Sequence, residues 1–453
     1  MTLTAILIGN ESLTAECGNL WLDRGHAVTA VVTRAPHVAS WAAKRGLTVV
    51  APGPGLAARL PGHAVDWVIS VANLSLVPAG VLALARQGGV NFHDGPLPGY
   101  AGLNAPVWAL LNAERQHAVT WHLMTSGIDE GEVLATSTFD ITADETAFTL
   151  NARCFAAALD SFPQVITALE AGGQPRQPQG NGPRRMFRRA DRPAAAARLD
   201  FTKPAETVAG MVRALDHGGY RNPLAVAKIL VGGRILAVGA AEITAGSAVP
   251  GTVLDASDAS LVVACATGAV RLMRLTDLQG NAVSPTSLNT THLPSPDVNE
   301  AAALTAALAP VAEAEALCRA ILASPDPVVL GGPPTVSPDW QSLPLALSNA
   351  TPARLALAAL RAIGRTSGDI AFSGGPSPVP GYVTPWVPLR LAAAGPAAAA
   401  EALAEVALDA ARAATGLAAD LALREPGLGA LIPAPLAISA VNAPLEGTAV
   451  TLT

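Results

Sequence analysis

The chain has 453 residues, half of them hydrophobic, with 14% charged and 4% aromatic side chains and a formal net charge of -6. Residues 301–453 carry 7 Lys+Arg against 11 Asp+Glu and the first 300 carry 22 against 24, so neither part is a basic surface, which excludes a binder held to nucleic acid by phosphate neutralisation. The alanine tracts are cut by Pro310, Glu313, Gly395, Pro396 and Glu401, which leaves no span of the ~20 apolar residues a membrane helix needs. Met1–Ile8 has no basic leader. Cys17, Cys154, Cys265 and Cys318 follow no disulfide or metal spacing. The expectation is a reduced, cytoplasmic chain without a metal or a membrane.

In chain order, Leu3–Ile8 reads as a strand, and Ser12 can cap a helix on which Leu13, Cys17, Leu20 and Trp21 recur at helical spacing before Gly25 closes it. Ala27–Thr33 reads as a strand, Pro36–Arg45 as a helix, and Leu47–Val50 and Val65–Val71 as strands. Pro78–Arg86 reads as a helix stopped by Gly88 and Gly89, and Gly89–His93 as the next strand. Apolar strands between amphipathic helices imply an α/β domain with a doubly wound parallel sheet, assigned to residues 1–190. Arg184–Arg192 reads as a solvated linker. Thr207–Asp216 is helical, and the runs Ala225–Leu230, Arg234–Val238, Gly251–Leu254, Leu261–Ala264 and Val270–Arg274 suggest a small β-barrel-like module over 191–280. Residues 281–300 read as a second linker. The 300–453 region is α+β, with helices at 301–322, 352–364 and 396–415 and strands at Asp369–Phe372 and Trp386–Leu391; it has neither His nor Lys and is a poor place for acid–base chemistry.

The densest cluster of reactive side chains follows the strand ending at His93. Asn91 and His93 are two positions apart and leave one face of that strand, at the carboxyl edge where ligands bind in such sheets. A second strand, Val119–Met124, ends in Thr125-Ser126-Gly127-Ile128-Asp129, which delivers a carboxylate. An imidazole oriented by a carboxylate can take a proton from an attacking amine, and a side-chain amide can donate to the oxyanion formed at a carbonyl. With no activated Ser or Cys beside them, the three suit direct acyl transfer to an amine. His122 reads as a structural mid-strand residue, and His26, His37, His63, His117 and His217 as loop or surface residues. Gly9-Asn10-Glu11-Ser12 does not match G-x-G-x-x-G, which argues against a dinucleotide site.

Asn91-Phe92-His93-Asp94-Gly95-Pro96-Leu97-Pro98, with Asp129 downstream, resembles the 10-formyltetrahydrofolate-dependent formyltransferases. Asn91–Asn104, Pro106-Val107-Trp108, Val119-Thr120-Trp121-His122 and Tyr220-Arg221-Asn222-Pro223-Leu224 are similar to the formylation domains that begin some non-ribosomal peptide synthetases. The resemblance covers roughly residues 1–280. It implies a Rossmann-like formyltransferase fold, with Asn91, His93 and Asp129 as the catalytic trio and 10-formyltetrahydrofolate as donor. It further implies Asn73, Leu74, Leu76, Met124 and Ile128 on the folate side, and Glu11, Tyr100 and Asn104 on the acceptor side. The implied partner is an aminoacyl carrier protein or another synthetase module. Asp369-Ile370-Ala371-Phe372 and Trp386–Leu391 resemble the second half of a condensation domain, which here lacks that family's catalytic histidines. A sugar-nucleotide or small-molecule N-formyltransferase, a formyl-folate hydrolase and a non-catalytic assembly-line scaffold are the alternatives.

Overall fold

Residue alternation decides the first sheet. In β1 (Thr4–Ile8), Ala5 and Leu7 face one core while Ile6 and Ile8 face another, which is the period of a strand buried on both sides. The computed structural model describes residues 1–60, 64–330, 351–441 and 443–453, and His63 lies outside them. The chain forms two compact units, Met1–Arg188 and Arg189–Thr453.

In the first unit β1 is followed by α1 (Ser12–Asp23), β2 (Ala27–Val32), α2 (Pro36–Lys44), β3 (Val49–Val50), α3 (Leu56–Arg59), β4 (Val65–Ser70), α4 (Ala79–Leu82) and β5 (Ala85–His93). Then come β6 (Ala101–Gly102), α5 (Ala105–Leu111), β7 (Gln116–Leu123), β8 (Val133–Asp140), α6 (Ala147–Glu170) and β9 (Met186–Phe187). The seven-stranded sheet runs β3-β2-β1-β4-β5-β7-β8, and β6 pairs with β9 apart from it. The first five strands are parallel; β7 and β8 are antiparallel, so the sheet is α/β and mostly parallel. On one face Trp21, Val38, Trp67, Trp121 and Phe162 close a core beneath α1, α2 and α6. On the other, Val68 packs with Leu56 of α3 and Val81 of α4.

Two local expectations change. The helix expected over Pro78–Arg86 is only Ala79–Leu82, because the ladder with β4 begins at Val65↔Ala85 and claims the residues that follow, Gly88 and Gly89 included. Ser12 is the first helical residue of α1 rather than its cap; Glu11 takes that position and makes no side-chain capping bond.

The second unit carries α7 (Ala205–Ala214), then β10 (Ala227–Val231), β11 (Arg234–Thr244), β12 (Val253–Ala256), β13 (Ser260–Ala264) and β14 (Ala269–Thr276). These strands form an antiparallel sheet ordered β10-β11-β14-β13-β12, whose first and last members do not pair among the described residues. α8 (Val298–Ala323), α9 (Pro352–Ala362), β15 (Ser367–Ser373), β16 (Val387–Ala392), α10 (Ala397–Ala414), α11 (Leu421–Arg424), β17 (Leu436–Ser439) and β18 (Val450–Leu452) follow. Their sheet is ordered β16-β15-β17-β18 over a core that includes Leu357, Phe372, Leu389 and Leu408. Contrary to the sequence reading, α8 is long and apolar enough to cross a membrane, because Pro310 and Glu313 do not interrupt it. Here it buries Leu304, Leu308 and Val311.

The two sheets of this unit are joined through buried charge. Lys228 Nζ of β10 lies 2.5 Å from Asp420 Oδ2 and donates to the Ala196 and Val226 carbonyls. Arg424 of α11 donates Nε to Asp420 and Nη2 to Glu315 of α8, at 2.8 and 2.5 Å, and Arg192 approaches Glu315 at 3.3 Å. Burial alone would raise the Asp420 carboxyl, but Lys228 and Arg424 outweigh it and hold it well below the carboxylate range. The supposed linker over 281–300 is packed rather than loose: Leu293 is buried, and the Pro294 carbonyl accepts from buried Arg198.

Candidate functional site

The site lies at the end of β5 because that strand's antiparallel neighbour supplies the opposite wall. Register places Asn91 across from His122 and His93 across from Thr120, and residues directly opposite share a face. His122, read from sequence as structural, therefore enters the cluster; its ring is 3.3 Å from the Asn91 amide and 3.4 Å from Asp129 Oδ1. The signal that could have found it is the antiparallel pairing of β5 with β7, which spacing alone did not reveal. Asp129 Oδ2 is 3.6 Å from His93 Nδ1. The trio thus meets around His122. His93 and His122 side chains are 5% and 3% exposed and Asp129 11%, so the charges act with little solvent between them.

Hydrogen-bond partners fix the protons. His93 Nε2 is 2.6 Å from the Tyr100 carbonyl, an acceptor only, so Nε2 carries hydrogen. In neutral His93 the lone pair is then on Nδ1, which faces Asp129 and, at 4.0 Å, Asp94 Oδ1. His122 Nδ1 likewise donates to the Leu123 carbonyl at 2.9 Å. Its Nε2, with a lone pair, accepts from Asn91 Nδ2; protonated, it donates to Asp129.

The two carboxyls are driven apart. Burial would raise Asp129, but the His122 bond, the His93 charge and the Gly102 N–H together overcome it and bring the group down to about 2. Asp94 is raised, burial being the largest cause. Such divergence makes Asp129 the more firmly ionised of the two.

Backbone geometry keeps these distances short. Gly95 passes so close to His93 that a Cβ there would lie 3.0 Å from Nε2 and 2.6 Å from the Ala105 methyl. Gly102, at φ +94, adopts a conformation open to glycine and donates its N–H to Asp129 Oδ2 at 2.8 Å.

The other expected residues divide. Leu74, Leu76 and Ile128 are exposed large apolar side chains, at 59%, 77% and 43%, and could cover a flat ring. Met124 packs with Leu82 against the second core. The Asn73 amide closes its own turn, donating to Ser75 O at 2.8 Å and accepting from Ser75 N at 3.1 Å. Glu11 is exposed at the start of α1. The Tyr100 hydroxyl is spent on Glu114 at 2.6 Å and Asn112 at 3.0 Å, and its ring is buried against Phe187. Burial and Glu114 raise that phenol to about 12. What Tyr100 gives the site is its carbonyl. Asn104 precedes α5 with a left-handed backbone, φ 61, and makes no capping bond.

Two histidines read as loop or surface residues are buried instead. His26 accepts from Leu3 N and lies 3.1 Å from Glu170, and His117, within β7, bonds to the Asp94 carbonyl at 2.8 Å.

A formyl transferase family model matches residues 42–166, and a formyl transferase C-terminal domain model matches 193–292. A methionyl-tRNA formyltransferase of Myxococcus xanthus is 30% identical over 279 residues, 58% of this chain and 85% of that protein. One from Stutzerimonas stutzeri is 28% identical over 290 residues, 60% of this chain and 90% of that protein. Among solved structures, an N-formyltransferase from Helicobacter canadensis with folinic acid and dTDP-3-aminofucose aligns at TM-score 0.49 and 16% identity, covering 61% of this chain and all (100%) of that one.

Proposed function

The chain belongs to the formyl transferase family, and on that premise we propose that it moves the formyl group of 10-formyltetrahydrofolate onto the primary amine of an aminoacyl group borne by a carrier protein. The observation that carries the chemistry is the meeting of Asn91, His93, His122 and Asp129 at the end of β5. Asn91 has a second amide hydrogen beyond the one facing His122, and this donor steadies the oxyanion formed as the amine nitrogen adds to the formyl carbon. His93 Nδ1 takes the proton the amine must lose and returns it to the departing folate nitrogen. Asp129, held ionised, stabilises the imidazolium between those two transfers. The bond formed is amide C–N, the bond broken is formyl C–N on the donor, and one proton crosses from acceptor to leaving group. The exposed apolar side chains of Leu74, Leu76 and Ile128 suit a pterin face.

For the acceptor, the net charge of -6 favours a small or protein-borne amine over a polyanion. Methionyl-tRNA is the second reading, favoured by the names of the relatives at 30% and 28% identity. The test incubates the full chain with 10-formyltetrahydrofolate and, separately, an aminoacyl carrier protein, methionyl-tRNA, a nucleotide-linked amino sugar and free amino acids. A mass gain of one CO unit on the carrier arm supports the first reading, and the same gain on the tRNA arm alone replaces it. Formate release with no formylated acceptor would identify a hydrolase.

A further inference from the structure

Asp129 adopts a left-handed backbone, φ 52, a setting uncommon for residues with a side chain although Asp enters it more readily than most, and here its neighbours hold it in place. The neighbours here belong to the stretch leading into the supposed linker. Gln177 exchanges both main-chain hydrogen bonds with Val133, at 2.7 and 2.9 Å, which brings the chain back beside the loop. Gln179 Nε2 then donates to the carbonyls of Asp129 and Gly131, at 2.8 and 2.9 Å, one on each side of Glu130. Arg184 donates to the Ile128 and Asp129 carbonyls at 2.5 and 3.2 Å. A few residues on, β9 pairs with β6: the Ala101 N–H donates to Arg185 O and the Leu103 N–H to Phe187 O, at 3.0 and 2.8 Å. Between those two bonds lies Gly102, whose N–H meets the Asp129 carboxylate. Residues 177–187 therefore grip both loops of the site, so the first part of Arg184–Arg192 is a strap rather than a solvated linker.

We propose that Gln179 is a positioning residue for the Asp129 carboxylate, its one amide clamping the two peptide planes that aim the carboxylate at His93. This rests on the formyl-transfer reading and names a residue that reading does not use. The separations at stake are small. His93 and His122 stand 3.6 and 3.4 Å from Asp129, beyond the ~2.7–2.9 Å of a charge-assisted bond. A slight turn of the 129 peptide decides whether the carboxylate reaches Nδ1. The charged and titratable groups facing this carboxylate are His93 and Asp94 from the end of β5, His122 from β7, and Glu130 in its own loop, which pairs with Arg184 at 3.5 Å; His117 interacts with Asp94 and His93 from behind.

The test replaces Gln179→Met, which keeps the length, adds no charge and has no N–H for either carbonyl. Arg176→Ala, which removes an exposed pair with Glu132, is the control. Steady-state kinetics of the full chain should show kcat down about tenfold or more with both KM values held within about twofold, since misplacement of a catalytic group by about 1 Å can cost that much and more. The carboxyl resonance of Asp129, followed by NMR against pH, should titrate at a higher pH in Gln179→Met, as its histidine and Gly102 partners loosen, and not in Arg176→Ala. A Gln179→Met protein with wild-type kcat and an unmoved Asp129 titration overturns the proposal, as does a lower melting temperature accompanied by an unmoved titration. Wild-type protein inactive on every acceptor would instead strike the formyl-transfer reading, and the NMR comparison would still decide the clamp.

Discussion

Replacing Asp129→Asn removes one charge while keeping the shape and an oxygen able to accept from Gly102. In the folded protein the carboxyl is depressed from 3.8 to about 2, and the side chain is 11% exposed, so solvent screening takes little from the effect. At 1.36 kcal/mol per unit this is roughly 2 kcal/mol of stability linked to the ionised group. The folded value lies below the unfolded one, so the contribution is complete above pH 3.8 and is lost as pH falls toward 2. Wild type should therefore lose about 2 kcal/mol more than Asp129→Asn between pH 5 and pH 2, a window below the ordinary histidine range. Hydrogen exchange of the β5 and β7 amides, converted to opening free energies, reads this within the first unit. Parallel curves for the two proteins would refute the view that His122, His93 and the Gly102 N–H hold Asp129 ionised. At neutral pH the same substitution should lower kcat by about a hundredfold or more, the scale of a general-base contribution.

Asn91→Ala should lower kcat by roughly a hundred- to a thousandfold, as loss of an oxyanion donor does, with the folate KM nearly unchanged; initial rates of formylated product check this. Asp420→Ala leaves Lys228 and Arg424 buried without their shared partner and should cost about 3–5 kcal/mol by denaturant titration, whereas Arg412→Ala, in an exposed pair with Asp409, should cost under about 1. All four thiols are buried and pushed upward, burial leading in each case. A disulfide exchange reagent should leave them unmodified in native protein and titrate them once denaturant is added.

Much of the site could be read in the sequence because its chemistry sits on two short strand-end motifs. Asn91 and His93 share a face by strand periodicity, and Asp129 follows a second strand end. His122 could not be recovered this way, since only the antiparallel register of β7 against β5 sets it opposite Asn91. The setting of Tyr100 was hidden for a related reason: composition presents a phenol, while the fold turns its carbonyl to His93 and its hydroxyl to Glu114. Arg184 looked solvated because a run of arginines usually is, and only the returning chain shows it reaching the Ile128 carbonyl. The strands and helices of the second unit were largely legible, whereas β17 and β18 are short, parallel and carry little pattern of their own.

The ion cluster around Asp420 ties the β10–β14 sheet to the tail that follows it. A chain ended before α8 would lose Glu315, Asp420 and Arg424 together, and Lys228 and Arg192 would trade these partners for solvent. Trimming the tail would also uncover Ala195, Ala196 and Ile235, which pack with Leu304, Leu308 and Val311 of α8, and it is this newly bared apolar surface, more than the cations, that would favour association.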